Sequence, residues 1–188
     1  MSPQLDLPYR ERFPDACRID LYPPEDGGTG AALLFIHGGG WSAGGRKQWR
    51  AVAEYCAEQG LFCASMSYRL VPAHRFPAAV EDARLAMAWL RARAEEYGFS
   101  ADRVGAVGSS SGGHLVAMLA TIAPGDPLGV TPELATTDTR PNAVICYCPV
   151  VSLHSGRPES APGCSDCGPG RPGCRPSSRS PCSRGPGR

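Results

Sequence analysis

Apolar positions along this chain recur in two periods, and the switch between the periods marks out its elements. Arg18–Tyr22 alternates polar with apolar residues, the pattern of a half-buried strand. Residues 31–36 (Ala-Ala-Leu-Leu-Phe-Ile) form a continuous apolar run ended by glycines, as a strand covered on both faces would. Residues 47–59 have helical composition and stop at Gly60, which suits the left-handed turn that closes helices. Leu61 to Tyr68 reads as the next strand. Pro77 then opens a helix, its fixed φ suiting the first turn, and Val80, Ala83, Met87, Leu90 and Ala94 give that helix one apolar face. Arg103–Val107 is a short strand that passes through Gly-Ser-Ser-Ser-Gly-Gly into an apolar helix at 115–123. After a loop rich in Pro, Gly and Thr, residues 143–147 make a fifth strand.

Strands separated by helices imply βαβ units, and hence an α/β fold with a mostly parallel sheet and flanking helices. A length of 188 residues leaves room for one ordinary domain. With 42% hydrophobic and 20% charged residues the chain is globular in composition, which excludes wholesale disorder. The longest apolar stretch, Leu115 to Ala123, is far short of the roughly 20 residues a membrane-spanning helix needs, so no span is expected. The first 16 residues mix charges and prolines with no apolar core, so no secretory signal is read there. A cytoplasmic, reducing setting is the corresponding expectation.

The net charge of +1 conceals a split. Residues 156–188 hold six Arg against Glu159 and Asp166, which leaves 13 basic and 16 acidic residues for 1–155. In that last segment 30 of 33 residues are Gly, Pro, Arg, Ser or Cys, with no Leu, Ile, Val, Phe, Met, Trp or Tyr. Such a segment buries too little apolar area to offset the ordering of its backbone, so it is expected to be a disordered tail behind a domain at 1–155. Its composition is also what GC-rich DNA yields in a wrong reading frame, so a frameshifted tail is a further expectation. A basic nucleic-acid arm is the alternative, but arginines spaced by Pro and Gly without aromatics support it weakly, and no nucleic-acid partner is expected.

Of the nine cysteines, Cys17, Cys56, Cys63, Cys146 and Cys148 precede the tail without a CxxC pair and read as small buried hydrophobes. Cys164-Ser-Asp-Cys167 imitates half a zinc site, but no second CxxC or His pair completes it. No metal or cofactor is expected.

Two motifs carry chemistry. His37-Gly38-Gly39-Gly40-Trp41 follows the buried strand directly, and its glycines let backbone N–H groups approach a ligand. In a hydrolase such N–H groups stabilise the oxyanion of a tetrahedral intermediate; the alternative is a plain glycine-rich turn. Gly108-Ser109-Ser110-Ser111-Gly112 is a G-x-S-x-G between a strand and a helix. There the glycines permit a sharp turn that stands the Ser110 hydroxyl at the C-terminal edge of the sheet, and Ser111 offers an N–H at the helix start. Ser110 alone of the three serines has glycines at both −2 and +2. Both motifs close parallel strands at their C-terminal ends, where open α/β sheets bind ligands. His37 reads as a structural hydrogen-bonding residue, His114 as structural or capping, and His74 with Arg75 as fixing a loop. Trp41 reads equally as pocket lining or packing, and Glu81 and Asp82 as solvated or ion-paired on a helix face.

His37–Trp41, then Ser67-Tyr-Arg-Leu-Val-Pro72 with Phe76-Pro-Ala78, then GSSSGGHL at 108–115, resembles the α/β-hydrolase serine esterases. It looks most like their hormone-sensitive-lipase-like and acetyl-esterase branch, in order and spacing, across about residues 18–153. The resemblance implies Ser110 as nucleophile, with Gly39, Gly40 and Ser111 supplying oxyanion N–H groups and His37, Gly38, Gly108 and Gly112 supporting the motifs. It implies hydrolysis of small carboxylic esters through an acyl-enzyme. The HGG-x-W pattern is also similar to that of formamidases, which would make an aryl-formamide the substrate. Homo-oligomerisation is compatible with it.

The family's order of Ser, then Asp or Glu, then His is not matched. After Ser110 come Asp126, Glu133, Asp138, Glu159 and Asp166, with His114 and His154 as the histidines, and none fits the expected place. The expectation is therefore a C-terminally incomplete hydrolase domain lacking its last strands and its acid–base pair, with an apolar edge exposed at Val144–Tyr147. The alternative in another class is a non-catalytic binding module that keeps the pocket for a small acyl or carboxylate ligand.

Overall fold

The computed structural model describes residues 2–153. In chain order they form β1 (Gln4–Pro8), β2 (Arg18–Tyr22), β3 (Ala32–Ile36), α1 (Arg50–Glu58), β4 (Phe62–Met66), α2 (Ala78–Ala92), α3 (Ala94–Tyr97), β5 (Val104–Ser109), α4 (Ser111–Thr121) and β6 (Ala143–Tyr147). The strands make one sheet in the order β1-β2-β4-β3-β5-β6. The run β4-β3-β5-β6 is parallel.

The central strands are apolar throughout because both of their faces are covered. Successive side chains point to opposite sides of a strand. Leu34, Ile36, Phe62, Ala64, Met66, Val104 and Ala106 accordingly join the larger core with Val80, Ala83, Met87 and Leu90 of α2 and Leu115, Val116 and Leu119 of α4. Phe35, Cys63 and Val107 point the other way and pack with Ala53 and Ala57 of α1.

The sheet is not parallel throughout. β2 runs antiparallel to both β1 and β4, because the connections around it carry no helix. Strand β1 is the element the apolar pattern does not signal. It contains Asp6 at φ 65° and ends at Pro8, and its register shifts between Gln4 and Leu7. It forms because β2 offers a free edge, and its breaks blunt the edge it makes in turn. The alternation read in β2 also misplaces Asp20, which is buried rather than solvated. Its carboxylate accepts the Asp6 amide and the Arg46 Nε, each at 2.7 Å.

Helix boundaries shift for local reasons. The helix expected at 47–59 is a 3-10 turn at Arg46–Trp49 followed by α1. It closes on Gly60 at φ 86°, whose N–H donates to the Ala57 carbonyl at 2.9 Å while Leu61 N–H reaches Cys56 at 3.1 Å. Both bonds satisfy carbonyls that a helix end leaves open. Helix α4 starts at Ser111, four residues before its apolar run, so Gly112 and Gly113 are helical.

Among the described residues β6 pairs with β5 alone and forms a sheet edge, with Ile145 60% and Tyr147 67% exposed. Residues up to Ser152 form one compact unit, and the expectations for 156–188 and for His154 lie outside the described residues. The five described cysteines are free thiols; Cys17 and Cys63 are buried as read from the sequence, but Cys56 and Cys146 are half-buried and Cys148, past the end of β6, is exposed. Among the described residues no helix is long and apolar enough to cross a membrane, and no cluster of His, Cys, Asp or Glu could hold a metal ion.

Candidate active site

Parallel register brings the two glycine motifs together. Ile36 pairs with Gly108 across β3 and β5, so the chain leaves both strands at one edge of the sheet. Ser110 sits between β5 and α4 at φ 51°, ψ −119°, a conformation that costs a non-glycine residue about 1–3 kcal/mol. The turn is held from outside: Ser110 N–H donates to the Tyr147 carbonyl at 2.9 Å, and its own carbonyl accepts His114 N–H at 3.0 Å. Ser110 is exposed, while Ser111 is fully buried.

The glycines are required by close backbone approach. A Cβ on Gly108 would lie 2.4 Å from the Gly112 carbonyl oxygen, and one on Gly112 would lie 2.2 Å from that of Ile36. A Cβ on Gly38 would come within 2.9 Å of the Ser109 oxygen and 3.4 Å of the Ser110 Cβ, so the 37–41 loop lies directly against the serine turn. Gly39 at φ 124° and Gly40 at φ 60° are both exposed.

Peptide planes orient the loop amides. In a trans peptide the C=O and the following N–H point in opposite directions. His37 Nδ1 donates to the Gly38 carbonyl at 2.7 Å, which turns Gly39 N–H away from the buried imidazole. The Gly39 carbonyl accepts Ser42 and Ala43 N–H at 3.1 and 3.0 Å, which turns Gly40 N–H away from that turn. Ser111, as the first residue of α4, has an N–H with no partner within the helix. The 37–41 loop and the start of α4 thus both lie beside the Ser110 turn.

Burial lowers the pKa of the His37 ring, opposed by its bond to the Gly38 carbonyl. Among the described residues its buried Nε2 has no hydrogen-bond partner, and neither has the buried His114 Nδ1. His114 is likewise lowered by burial, and its ring meets Trp41 edge-on at 5.3 Å. Trp41 packs against the main core. His74 contacts Phe13 edge-on. Among the described residues no histidine side chain is hydrogen-bonded to Ser110.

The sequence reading left out the scaffold behind this site. Tyr68 and Arg69, just past β4, and Asp82 on α2 are buried together. Asp82 has no exposed surface; it accepts Arg10 Nη1 at 2.7 Å, Arg69 N–H at 2.9 Å and Arg69 Nε at 2.9 Å. The solvated reading of Asp82 is thereby corrected and the ion-paired one retained. Glu81 Oε2 adds a bond from Arg69 Nη2 at 2.6 Å. The Ser67–Pro72 and Phe76–Ala78 patterns were the available signal.

A mostly parallel sheet with helices on both faces and a serine on a strand-to-helix turn defines the class, an α/β-hydrolase of the serine-esterase type. Residues 19–156 match the family model BD-FAE, and the chain belongs to that family. Among curated relatives, ethyl acetate hydrolase of Pseudomonas putida is 35% identical over 157 residues, covering 81% of this chain and 46% of that protein. Esterase LipC of Mycobacterium tuberculosis is 36% identical over 130 residues, covering 68% and 32%. Esterase 2 of Thermogutta terrifontis with butyrate bound has a TM-score of 0.72 at 27% identity, covering 86% of this chain and 59% of that one. The same esterase phosphonylated by sarin has a TM-score of 0.68. The chain thus spans a third to a half of the length of these curated relatives.

Proposed function

We propose that this chain carries the nucleophile and the oxyanion site of a serine hydrolase of small carboxylic esters. The observation that carries the reading is the strained, exposed Ser110 set against a loop whose Gly39 and Gly40 amides are turned outward. Ser110 Oγ attacks the ester carbonyl carbon, and the carbonyl oxygen takes up negative charge facing the N–H groups of Gly39, Gly40 and Ser111. The alkoxide departs with the proton from Oγ, and water then cleaves the acyl-serine bond. A serine needs a base to take that proton. Among the described residues no histidine side chain is bonded to Ser110, and without such a base turnover rests on oxyanion stabilisation and binding. Those leave roughly 10³–10⁴-fold over water, far below a complete triad. The esterase relatives and the butyrate-bound neighbour support an ester of short acyl chain.

The test is acyl trapping. Incubated with p-nitrophenyl acetate and digested, the chain is expected to carry an acetyl group on the peptide containing Ser110, and Ser110→Ala to carry none there. Acetylation spread over lysines and tyrosines with Ser110 unmodified overturns the reading.

A further inference from the structure

We infer that Tyr68 is a positioning residue that ties the 37–41 loop to the first residue of α4, and so sets where the amides of Gly39 and Ser111 stand. The functional half of the inference rests on the reading of Ser110 as nucleophile. Tyr68 is 2% exposed, and its hydroxyl lies 3.1 Å from the His37 carbonyl oxygen and 3.4 Å from Ser111 Oγ. A carbonyl only accepts, so the single phenolic proton goes to His37 and the phenolic lone pair receives the Ser111 hydroxyl. One buried oxygen therefore joins the two segments that supply the oxyanion donors. The Tyr68 ring lies flat on the His37 imidazole, 4.2 Å between centroids and 6° between planes. That imidazole in turn holds the Gly38 carbonyl and aims the Gly39 amide.

The backbone of Tyr68 is itself fixed on both sides. Ser67 N–H donates to the Arg18 carbonyl at 2.8 Å, and the Ser67 carbonyl accepts Tyr9 Oη at 2.7 Å. Arg69 N–H is held by Asp82 at 2.9 Å, and Val71 N–H binds the Trp41 carbonyl at 3.0 Å. The phenol thus reaches both site segments from a rigid base. Polar groups so enclosed specify one arrangement when all are satisfied.

The experiment compares the wild-type chain with Tyr68→Phe, which keeps the ring stack and removes only the hydroxyl. Amide hydrogen exchange is read on peptides covering 37–43 and 110–114. Reaction of Ser110 with a fluorophosphonate is read by mass: the Oγ–P bond forms, the P–F bond breaks, fluoride leaves and the hydroxyl proton passes to water. In the variant both peptides are expected to exchange about tenfold faster, the factor one hydrogen bond contributes to a local opening equilibrium. The limiting phosphonylation rate should fall about tenfold or more, with the probe concentration for half-maximal rate unchanged, because displaced donors act on the transition state. Ser111→Ala, which removes one of the two bonds, is expected to fall between, and keeps the inference testable should Tyr68→Phe fail to fold. Tyr97→Phe, another buried tyrosine whose hydroxyl bonds Gln4, should change neither reading. Wild-type exchange in both peptides of Tyr68→Phe overturns the inference, and so does faster exchange spread evenly through β3, β4 and β5. If wild-type Ser110 takes up no phosphonate, the nucleophile reading fails, while exchange alone still decides whether Tyr68 locks the loop.

Discussion

Replacing Asp82 by alanine removes the carboxylate that neutralises two arginines behind the candidate site. Asp82 is fully buried and accepts three short bonds, from Arg10 Nη1, Arg69 N–H and Arg69 Nε. The Arg69 side chain is 8% exposed, so it cannot turn to water once its partner is gone. Removing one member of a buried pair costs about 3–5 kcal/mol, because the other charge stays desolvated. Glu81 Oε2 remains 2.6 Å from Arg69 Nη2 and compensates in part, which places Asp82→Ala near the low end, about 3 kcal/mol. With a urea slope of about 2 kcal/mol per molar, the unfolding midpoint should fall by about 1.5 M. Equilibrium urea unfolding followed by far-ultraviolet circular dichroism reads this directly. The double variant Arg69→Met with Asp82→Leu separates charge from packing: an apolar replacement of both partners is often near neutral, so it should recover more than half of the loss. A single variant within about 1 kcal/mol of wild type would refute the argument. So would a double variant no more stable than the single one.

Other consequences are as direct. Ser110→Gly should raise stability by about 1 kcal/mol in the same assay, since glycine adopts φ 51° without the penalty serine incurs. Gly112→Ala should lower it by about 3 kcal/mol, because its Cβ would lie 2.2 Å from a backbone oxygen that cannot move aside. Burial pushes the Cys17 thiol from 9.0 up to about 12, with Asp82 adding to the shift, and the Tyr22 phenol from 10.0 up to about 12, with Asp20 adding. The unfolded chain therefore releases these protons at lower pH than the folded one. Their stabilisation is complete below about pH 9 and is lost as pH climbs toward 12, so melting temperatures should hold level from pH 8 to about 9 and fall steadily above it. With iodoacetamide at pH 8, of the five described cysteines the exposed Cys148 should alkylate first and the buried Cys63, whose thiol burial pushes far up, last, as read by peptide mass.

What was legible in the sequence follows from how local each requirement is. The central strands show as apolar runs because each residue is buried whichever face it points to, and α2 shows because one helical stripe meets the sheet. The two glycine turns are legible for a similar reason: Gly108 and Gly112 oppose each other across four residues, so their collision is written in the spacing. Strand β1 is illegible because Asp6 and Pro8 contradict strand propensity, and only pairing with β2 overrides them.

The scaffold of the site is illegible for a different reason. Asp82 looks like any acidic residue near a helix start, and its burial comes from Arg10, 72 positions away in sequence, folding over it. Tyr68 meets His37 across 31 positions and Ser111 across 43, so no window of periodicity contains the triangle they make. Glycine spacing tells where a sharp turn can form, but the direction in which its amides point is decided by groups anchored elsewhere. The same division separates the substitutions. Changes at Gly112 act through the turn itself, whereas Tyr68→Phe leaves every glycine intact and acts only on orientation. The two should therefore part company in measurement, the first lowering the stability of the whole fold and the second confining its effect to residues 37–43 and 110–114.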